Sequence, residues 1–374
     1  MIPIAKPYLT NDEAQSAYDV VLSGWVTQGP KVQQFEEAFA KYVGAKYAVA
    51  VSSCTTALHL SLIVAGIKSG DEVICPSLSF IATANSIKYI GAIPVFADVD
   101  EYTYNIDIKH AESLITKKTK AILIVHQMGF PADIDAFKNL CQKYNLQLIE
   151  DAACAVGSAY KEKKIGCHSD LVCFSFHPRK VITTGDGGMI STSNEDYYKR
   201  LKLLRQHAMS VSDSIRHSSK KVICEEYTEL GYNYRMTDIQ AAIGIKQLEK
   251  LDWIISKRRK IAEKYNNALK NIDSIRIPYE AKENISNYQS YSIYLKENAR
   301  LSRNELMQKM LDEGISTRRG IMTIHREPAY KLICKDLYLP VTERVSDKCV
   351  LLPLFVPMEE SIINKIIECL VKYL

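Results

Sequence analysis

The chain has 374 residues, 47% hydrophobic and 24% charged. That is the ordinary globular mix, with material for a core far larger than a disulfide-stapled miniprotein has, and it excludes disorder and collagen-like repeats. Forty-eight Lys and Arg against 43 Asp and Glu leave a net charge of +5, too dilute to imply nucleic acid but no obstacle to an anionic small molecule.

At roughly 150 residues per domain, the length suggests two domains. Residues 1–7 lack the apolar core and small-residue cleavage site of a secretory signal. No apolar run approaches the roughly 18 residues a spanning helix needs. A cytoplasmic protein without a membrane partner is expected. Ten cysteines are scattered with no CxxC pair, which fits reduced, mostly buried thiols better than a disulfide framework or a zinc site, and no metal is expected.

From about residue 30 to residue 195, short apolar runs alternate with amphipathic stretches. Strands are expected over 47–51, 72–75, 93–98, 120–125, 147–150 and 171–175. Rich in Val, Ile and Leu with little alternation, they read as strands buried on both faces. Helices are expected over 55–65, 81–90 and 134–144. This alternation predicts an α/β fold, a mostly parallel central sheet flanked by helices.

Residues 195–225 read as polar and irregular, with 210–221 as a mobile surface loop. Thr237 and Gln240 form a capping-box signature for a helix to about residue 251, and Asp252 starts a second one to about residue 269. Lys257, Arg258, Arg259 and Lys260 read as a solvated face of that helix. Further on, a strand is expected over 291–295 and helices over 303–313 and 360–374. The expected division is a large unit, 1–250, and a smaller C-terminal α+β unit, 251–374, with the N-terminal segment packing on the smaller one.

Three constellations carry chemistry. The first is residues 170–191, where a strand ends at Ser175-Phe176-His177, Pro178 turns the chain, and Lys180 precedes Gly185-Asp186-Gly187-Gly188 and another apolar strand. A lysine on such a loop can project into a cavity, and glycines beside it let backbone approach a ligand. Against a positive or apolar wall its amine would lose proton affinity and become a nucleophile toward carbonyls. The plain alternative is a solvent-exposed loop lysine.

The second is Ile149-Glu150-Asp151-Ala152-Ala153, a strand ending in an acidic pair. Asp151 at the carboxyl end of a parallel strand sits where open sheets bind ligands, and it suits a protonated ring nitrogen such as that of pyridoxal phosphate. Equally, it could cap a following helix. The third is the strand–hydroxyl–helix run through Ser52-Ser53-Cys54-Thr55-Thr56, a ready phosphate cradle, though Ser and Thr caps begin many helices. Phosphate anchor, pyridinium partner and lysine together have one economical explanation.

With these residues, and with the stretches 23–30, 51–60, 76–85, 150–153, 174–188 and 231–240, the chain resembles the nucleotide-sugar aminotransferases of the DegT type (DegT/DnrJ/StrS). These are pyridoxal-phosphate enzymes of the aspartate-aminotransferase fold class, fold type I. The resemblance runs nearly end to end. It implies that Lys180 is the Schiff-base lysine and proton shuttle, that Asp151 partners the pyridinium nitrogen, and that Phe80 stacks on the ring. It further implies phosphate contacts from Ser53, Cys54, Thr55 and Ser175, and one from Asn233 across a homodimer interface with shared active sites. His325 aligns with a histidine near the substrate, or is otherwise a surface-loop histidine. Trp25, Thr27, Arg318 and Arg319 are further substrate candidates.

The implied activity moves an amino group from glutamate, by way of pyridoxamine phosphate, to a keto group of a nucleotide-linked (deoxy)hexose. Such an activity would serve amino-sugar, lipopolysaccharide O-antigen or glycoside biosynthesis. Alternatives are a keto-cyclitol acceptor and a non-catalytic regulatory relative. Three departures from the family stand out: Cys54 for glycine, Cys154 for the His or Gln near the cofactor's phenolic oxygen, and Ala208 for a loop glycine. Related dehydratases carry histidine in place of the lysine, so Lys180 favours transamination.

Overall fold

The computed structural model describes residues 1–211, 219–281 and 283–374. Among these, a seven-stranded sheet runs in the spatial order Tyr47–Val51, Gly188–Thr192, Val172–Ser175, Gln147–Asp151, Thr119–Val125, Glu72–Pro76 and Ile93–Ala97. Gly188–Thr192 is antiparallel to both neighbours, and every other pair is parallel. Successive side chains of a strand point to opposite faces. Accordingly Ile122 and Ile124 join one apolar cluster, and Ala121, Leu123 and Val125 the other. Both faces are covered, so the strands read as unbroken apolar runs.

Phe35 and Phe39 of Pro30–Val43, Phe137 and Leu140 of Ile134–Tyr144, and Leu251 and Ile254 of Asp238–Leu269 pack on the first face. Leu58 and Leu62 of Cys54–Val64, Ile87 of Ala82–Tyr89, and Leu201 and Leu204 of Glu195–Leu204 pack on the second. A separate antiparallel sheet, ordered Ile275–Arg276, Tyr291–Leu295, Cys349–Leu352, Arg318–Arg319, lies in the C-terminal part. The N-terminal segment joins that part, because Ile2 exchanges hydrogen bonds with Gly314 (2.7 Å) and Ser316 (2.9 Å).

Three expectations are corrected. Residues 195–225 are not irregular throughout: Glu195–Leu204 is a helix whose cap, Asn194, accepts from the N–H groups of Asp196 and Tyr197. Helix Asp238–Leu269 runs unbroken for 32 residues, so Asp252 starts nothing. Its buried Leu251, Ile254 and Ile255 continue one apolar stripe across that point. Lys257, Arg259 and Lys260 are exposed as expected, but Arg258 is buried. Its guanidinium donates to the carbonyls of Tyr288 (2.9 Å) and Gln289 (2.7 Å). Part of the expected 210–221 loop, residues 212–218, lies outside the described residues. All ten cysteines are free thiols, five of them buried.

Asp238 does a job its position does not advertise. Helix Pro30–Val43 begins after Gly29, which has no side chain to cap it. The Asp238 carboxylate accepts instead from the N–H groups of Gly29 (2.8 Å), Lys31 (3.0 Å) and Val32 (3.0 Å). Negative charge at a helix start also offsets the helix dipole.

Glu13 ties helix Asn11–Ser23 to the long helix. It is 2% exposed and accepts from Thr10 N–H (2.8 Å), Gln247 (2.9 Å) and Lys250 (2.9 Å). Burial alone would raise its pKa, but these donors overrule it and bring it down to about 2. A depressed carboxyl stabilises the fold above its unfolded pKa of about 4.3, and that contribution is lost as pH falls toward 2. Glu13→Gln should therefore cost about 1–3 kcal/mol at pH 7 and flatten the loss of stability between about pH 4.5 and pH 2, read by urea unfolding across that range.

Candidate active site

The predicted residues converge at the carboxyl ends of the parallel strands, where an open sheet leaves a crevice. Asp151 ends Gln147–Asp151 and is 5% exposed. Its Oδ2 accepts from the Thr83 hydroxyl (2.9 Å) and its Oδ1 from the Ala153 N–H (3.1 Å). No helix follows, so the capping alternative falls away. Burial raises the Asp151 pKa, opposed by those two donors and by the nearby charges of Lys180 and His126.

Lys180 leaves the loop after Val172–Ser175 and donates from Nζ to the Cys154 thiol at 3.2 Å. Burial disfavours its charge, but the Cys154 thiol, the Asp151 carboxylate and Cys54 outweigh burial and raise its pKa. The expected loss of proton affinity is thus reversed, because the amine faces acidic groups instead of a positive or apolar wall.

Helix Cys54–Val64 opens toward the same place. Ser53 caps it by accepting from Thr56 N–H (3.2 Å), and the Ser53 N–H is bound to Thr56 Oγ1 (3.1 Å). That leaves the first-turn N–H groups of Cys54 and Thr55 for an anion. Cys54 is an ordinary first-turn residue without positive φ, so glycine is not required there. Gly188 presses on this turn from the neighbouring strand: a Cβ on it would stand 2.4 Å from the carbonyl carbon and oxygen of Ser53. Ser175 is buried at its strand end, its Oγ accepting from His177 N–H (3.4 Å). A buried carboxylate, an amine and an open helix start in one crevice fit the pyridine nitrogen, aldehyde and phosphate of pyridoxal phosphate. Phe80, three residues before the Thr83 that bonds Asp151, is 58% exposed and is no core aromatic.

The remaining candidates spread outward. Asn233 is exposed, in a segment where Tyr234 accepts from Ser52 N–H (2.9 Å), next to the helix start. Trp25 folds over Gly29, its indole N–H donating to Gln28 O (3.3 Å), and Thr27 accepts from Asp238 N–H (3.1 Å). Arg319 is exposed and pairs with Glu327 (3.2 Å). His325 is no surface histidine, being only 4% exposed. Ala208 adopts φ 56°, the left-handed region that suits the glycine of relatives.

Sequence reading missed the residues that brace the lysine. Asn287, fully buried, donates to the carbonyls of Cys154 (2.9 Å) and Val156 (2.8 Å). Gln289 donates to the carbonyl of Arg179 (3.0 Å). Thr83 was visible only as part of the 76–85 stretch.

Comparisons with known proteins agree with this geometry. Residues 7–371 match the DegT/DnrJ/EryC1/StrS aminotransferase family. The chain belongs to this family. It is 38% identical over 371 residues to the Bacillus subtilis spore coat polysaccharide biosynthesis protein SpsC, covering 98% of this chain and 95% of that protein. Among solved structures, Helicobacter pylori PseC, an aminotransferase of pseudoaminic acid biosynthesis, matches with TM-score 0.93 at 27% identity, over 100% of this chain and 98% of that one. The sugar aminotransferase Spr1654 of Streptococcus pneumoniae, described as putative, matches in its PMP-form with TM-score 0.93 at 27% identity, over 100% and 99%. It is also known in a PLP-form. The fold is that of the fold type I aminotransferases, and the chain is a pyridoxal-phosphate-dependent sugar aminotransferase, not the non-catalytic relative held open above.

Gly188→Ala should push the Ser53–Cys54 backbone aside and weaken pyridoxal-phosphate binding about tenfold or more, read by titrating the apo-protein. Gly185→Ala, at φ 86° but in open space, should cost about 1 kcal/mol of stability and leave that affinity unchanged.

Proposed function

We propose that this chain transfers an amino group from glutamate to a keto group on a nucleotide-linked (deoxy)hexose, in amino-sugar biosynthesis for a surface polysaccharide or glycoside. The observation that carries the reading is the shared crevice of the Lys180 amine, the buried Asp151 carboxylate and the open start of helix Cys54–Val64. SpsC serves spore coat polysaccharide biosynthesis and PseC pseudoaminic acid biosynthesis.

Bound pyridoxal phosphate supplies an electron sink for the pair left behind when a carbon gives up its proton. In this reading Asp151 keeps the ring nitrogen protonated, aimed by Thr83 and the Ala153 N–H. The Cys54 and Thr55 N–H groups and the Ser53 and Ser175 hydroxyls would hold the phosphate, Phe80 would cover the ring face, and Cys154 would stand near the phenolic oxygen. Lys180 would hold the cofactor's aldehyde carbon and, once the donor's amine has displaced it there, would be free to take the proton from the donor's α-carbon and to return one to the sugar carbon. A pyridinium against Asp151 would offset that carboxylate's pull on the Lys180 proton, freeing the amine to act as a base.

Asn233 would reach the phosphate of a second subunit in a homodimer. Exposed Tyr89, packed through His59 against Tyr232 beside Asn233, supports an interface on this side. Trp25, Thr27 and Arg319 are assigned to the substrate side, whereas the ring nitrogens of His325 are taken up by Ser77 and Glu343; the site works in the cytoplasm. Residues 1–250 and 251–374 are taken as the large and small units; the main sheet lies within the first and the second antiparallel sheet within the other.

Lys180→Ala should abolish both the visible absorbance of lysine-bound cofactor and turnover with glutamate and a nucleotide keto-hexose. A fully active variant would end the proposal. Wild-type turnover of keto-inositol in preference to nucleotide keto-hexoses would reassign the acceptor.

A further inference from the structure

We infer that His325 is a positioning residue that holds the cofactor-facing carboxylate, acting through the loop that carries Phe80. This rests on the reading above that Asp151 meets pyridoxal phosphate.

His325 is buried with both ring nitrogens engaged. Nδ1 lies 2.6 Å from Ser77 Oγ and Nε2 lies 3.1 Å from Glu343 Oε1. The His325 backbone N–H also donates to Ser77 Oγ (3.1 Å), and that of Ile324 donates to Ser77 O (2.8 Å). Thr323 forms a bridge with Leu78. Ser77 is thus gripped from the C-terminal part at its hydroxyl and at its carbonyl. On the far side, Glu343 also pairs with Arg326, which in turn holds Asp347 at 2.9 Å.

From Ser77 the contacts continue inward. The Ser79 N–H donates to Ser77 O (3.0 Å), and Ser79 Oγ lies 2.7 Å from Thr83 Oγ1. Thr83 has a single hydroxyl hydrogen, and it goes to Asp151 Oδ2 at 2.9 Å. Thr83 can therefore only accept from Ser79. The result is a polar path from Glu343 to Asp151, made of hydrogen bonds joined through the covalent frames of Ser77 and Ser79. Ser77, Ser79, Thr83, Asp151 and His325 are all buried, so bulk water does not replace a lost partner. Phe80 sits between Ser79 and Thr83, so the loop that sets Thr83 also sets the aromatic. His325 therefore influences the ring without touching it.

The test titrates pyridoxal phosphate into apo-protein for wild type, His325→Ala, Thr83→Val and the double variant. Affinity is read by absorbance, and ring orientation by visible circular dichroism. Each single variant should bind about tenfold more weakly with a diminished dichroic band, and the double should fall little below the weaker single, since groups in one network are not additive. Ser77→Ala should match His325→Ala. His325→Gln, which keeps a donor and an acceptor, should recover most of the affinity. Should His325→Ala fail to fold, Ser77→Ala with Thr83→Val makes the same comparison. Wild-type affinity in the single variants would overturn the inference, and so would a double-variant loss equal to the product of the singles. A wild-type chain that binds no pyridoxal phosphate would instead overturn the functional reading, and this inference with it.

Discussion

The site depends on keeping one carboxylate buried at the edge of an apolar sheet. An isolated carboxylate there would neutralise itself rather than bear the desolvation. Asp151 is held by two directed donors and by the nearby Lys180 amine, while burial pushes the other way. The same amine leans on Asp151 and Cys154 for its own proton affinity. Each group therefore supports the charged form of the other, and a ring cation placed between them would replace that mutual support.

Geometry follows from strand direction. Ser53, Ser79, Asp151 and Ser175 each stand at or just beyond the carboxyl end of a strand, and the parallel strands end on the same side. Gly188–Thr192 is the exception, running back between Tyr47–Val51 and Val172–Ser175. Reversal brings its first residue, Gly188, up against Ser53, and only a residue without Cβ fits there. The Gly187-Gly188 pair thus answers to sheet topology as much as to the ligand.

Much of this was legible because the strands are buried on both faces, so their apolar runs stand out. Helix Ile134–Tyr144 was found at its full length from the fourfold spacing of Ala136, Leu140 and Tyr144. What failed was whatever depends on distant partners. The helix at 195–204 was hidden by its polar composition, although Asn194 followed by Glu195 and Asp196 is a start signal. Arg258 looked like one charge among four because nothing local shows the Tyr288 and Gln289 carbonyls it meets. Asp238 stands in the first turn of its own helix, and the partners of its carboxylate lie about 200 residues earlier. At the site, motif residues were readable, while Asn287, whose target is a backbone carbonyl, left no pattern.

Those hidden residues share a consequence. Arg258, on the long helix, fixes the carbonyls of Tyr288 and Gln289, and Tyr288 is held at φ 49°, a strained angle for a bulky side chain. Such strain persists only where surroundings over-determine the backbone. On either side of it, Asn287 reaches Cys154 and Gln289 reaches Arg179. Cys154 is the partner of the Lys180 amine, and Arg179 is the residue before Lys180. One short segment after residue 286 therefore braces the lysine from both ends, at its backbone and at its Nζ contact. The continuous helix from 238 to 269 makes this possible. A break at 252, as the sequence suggested, would uncouple Arg258 from the helix start that Thr237 caps. The helix is unbroken because its apolar stripe never shifts phase, and so the C-terminal part is anchored to the lysine rather than merely tethered beside it.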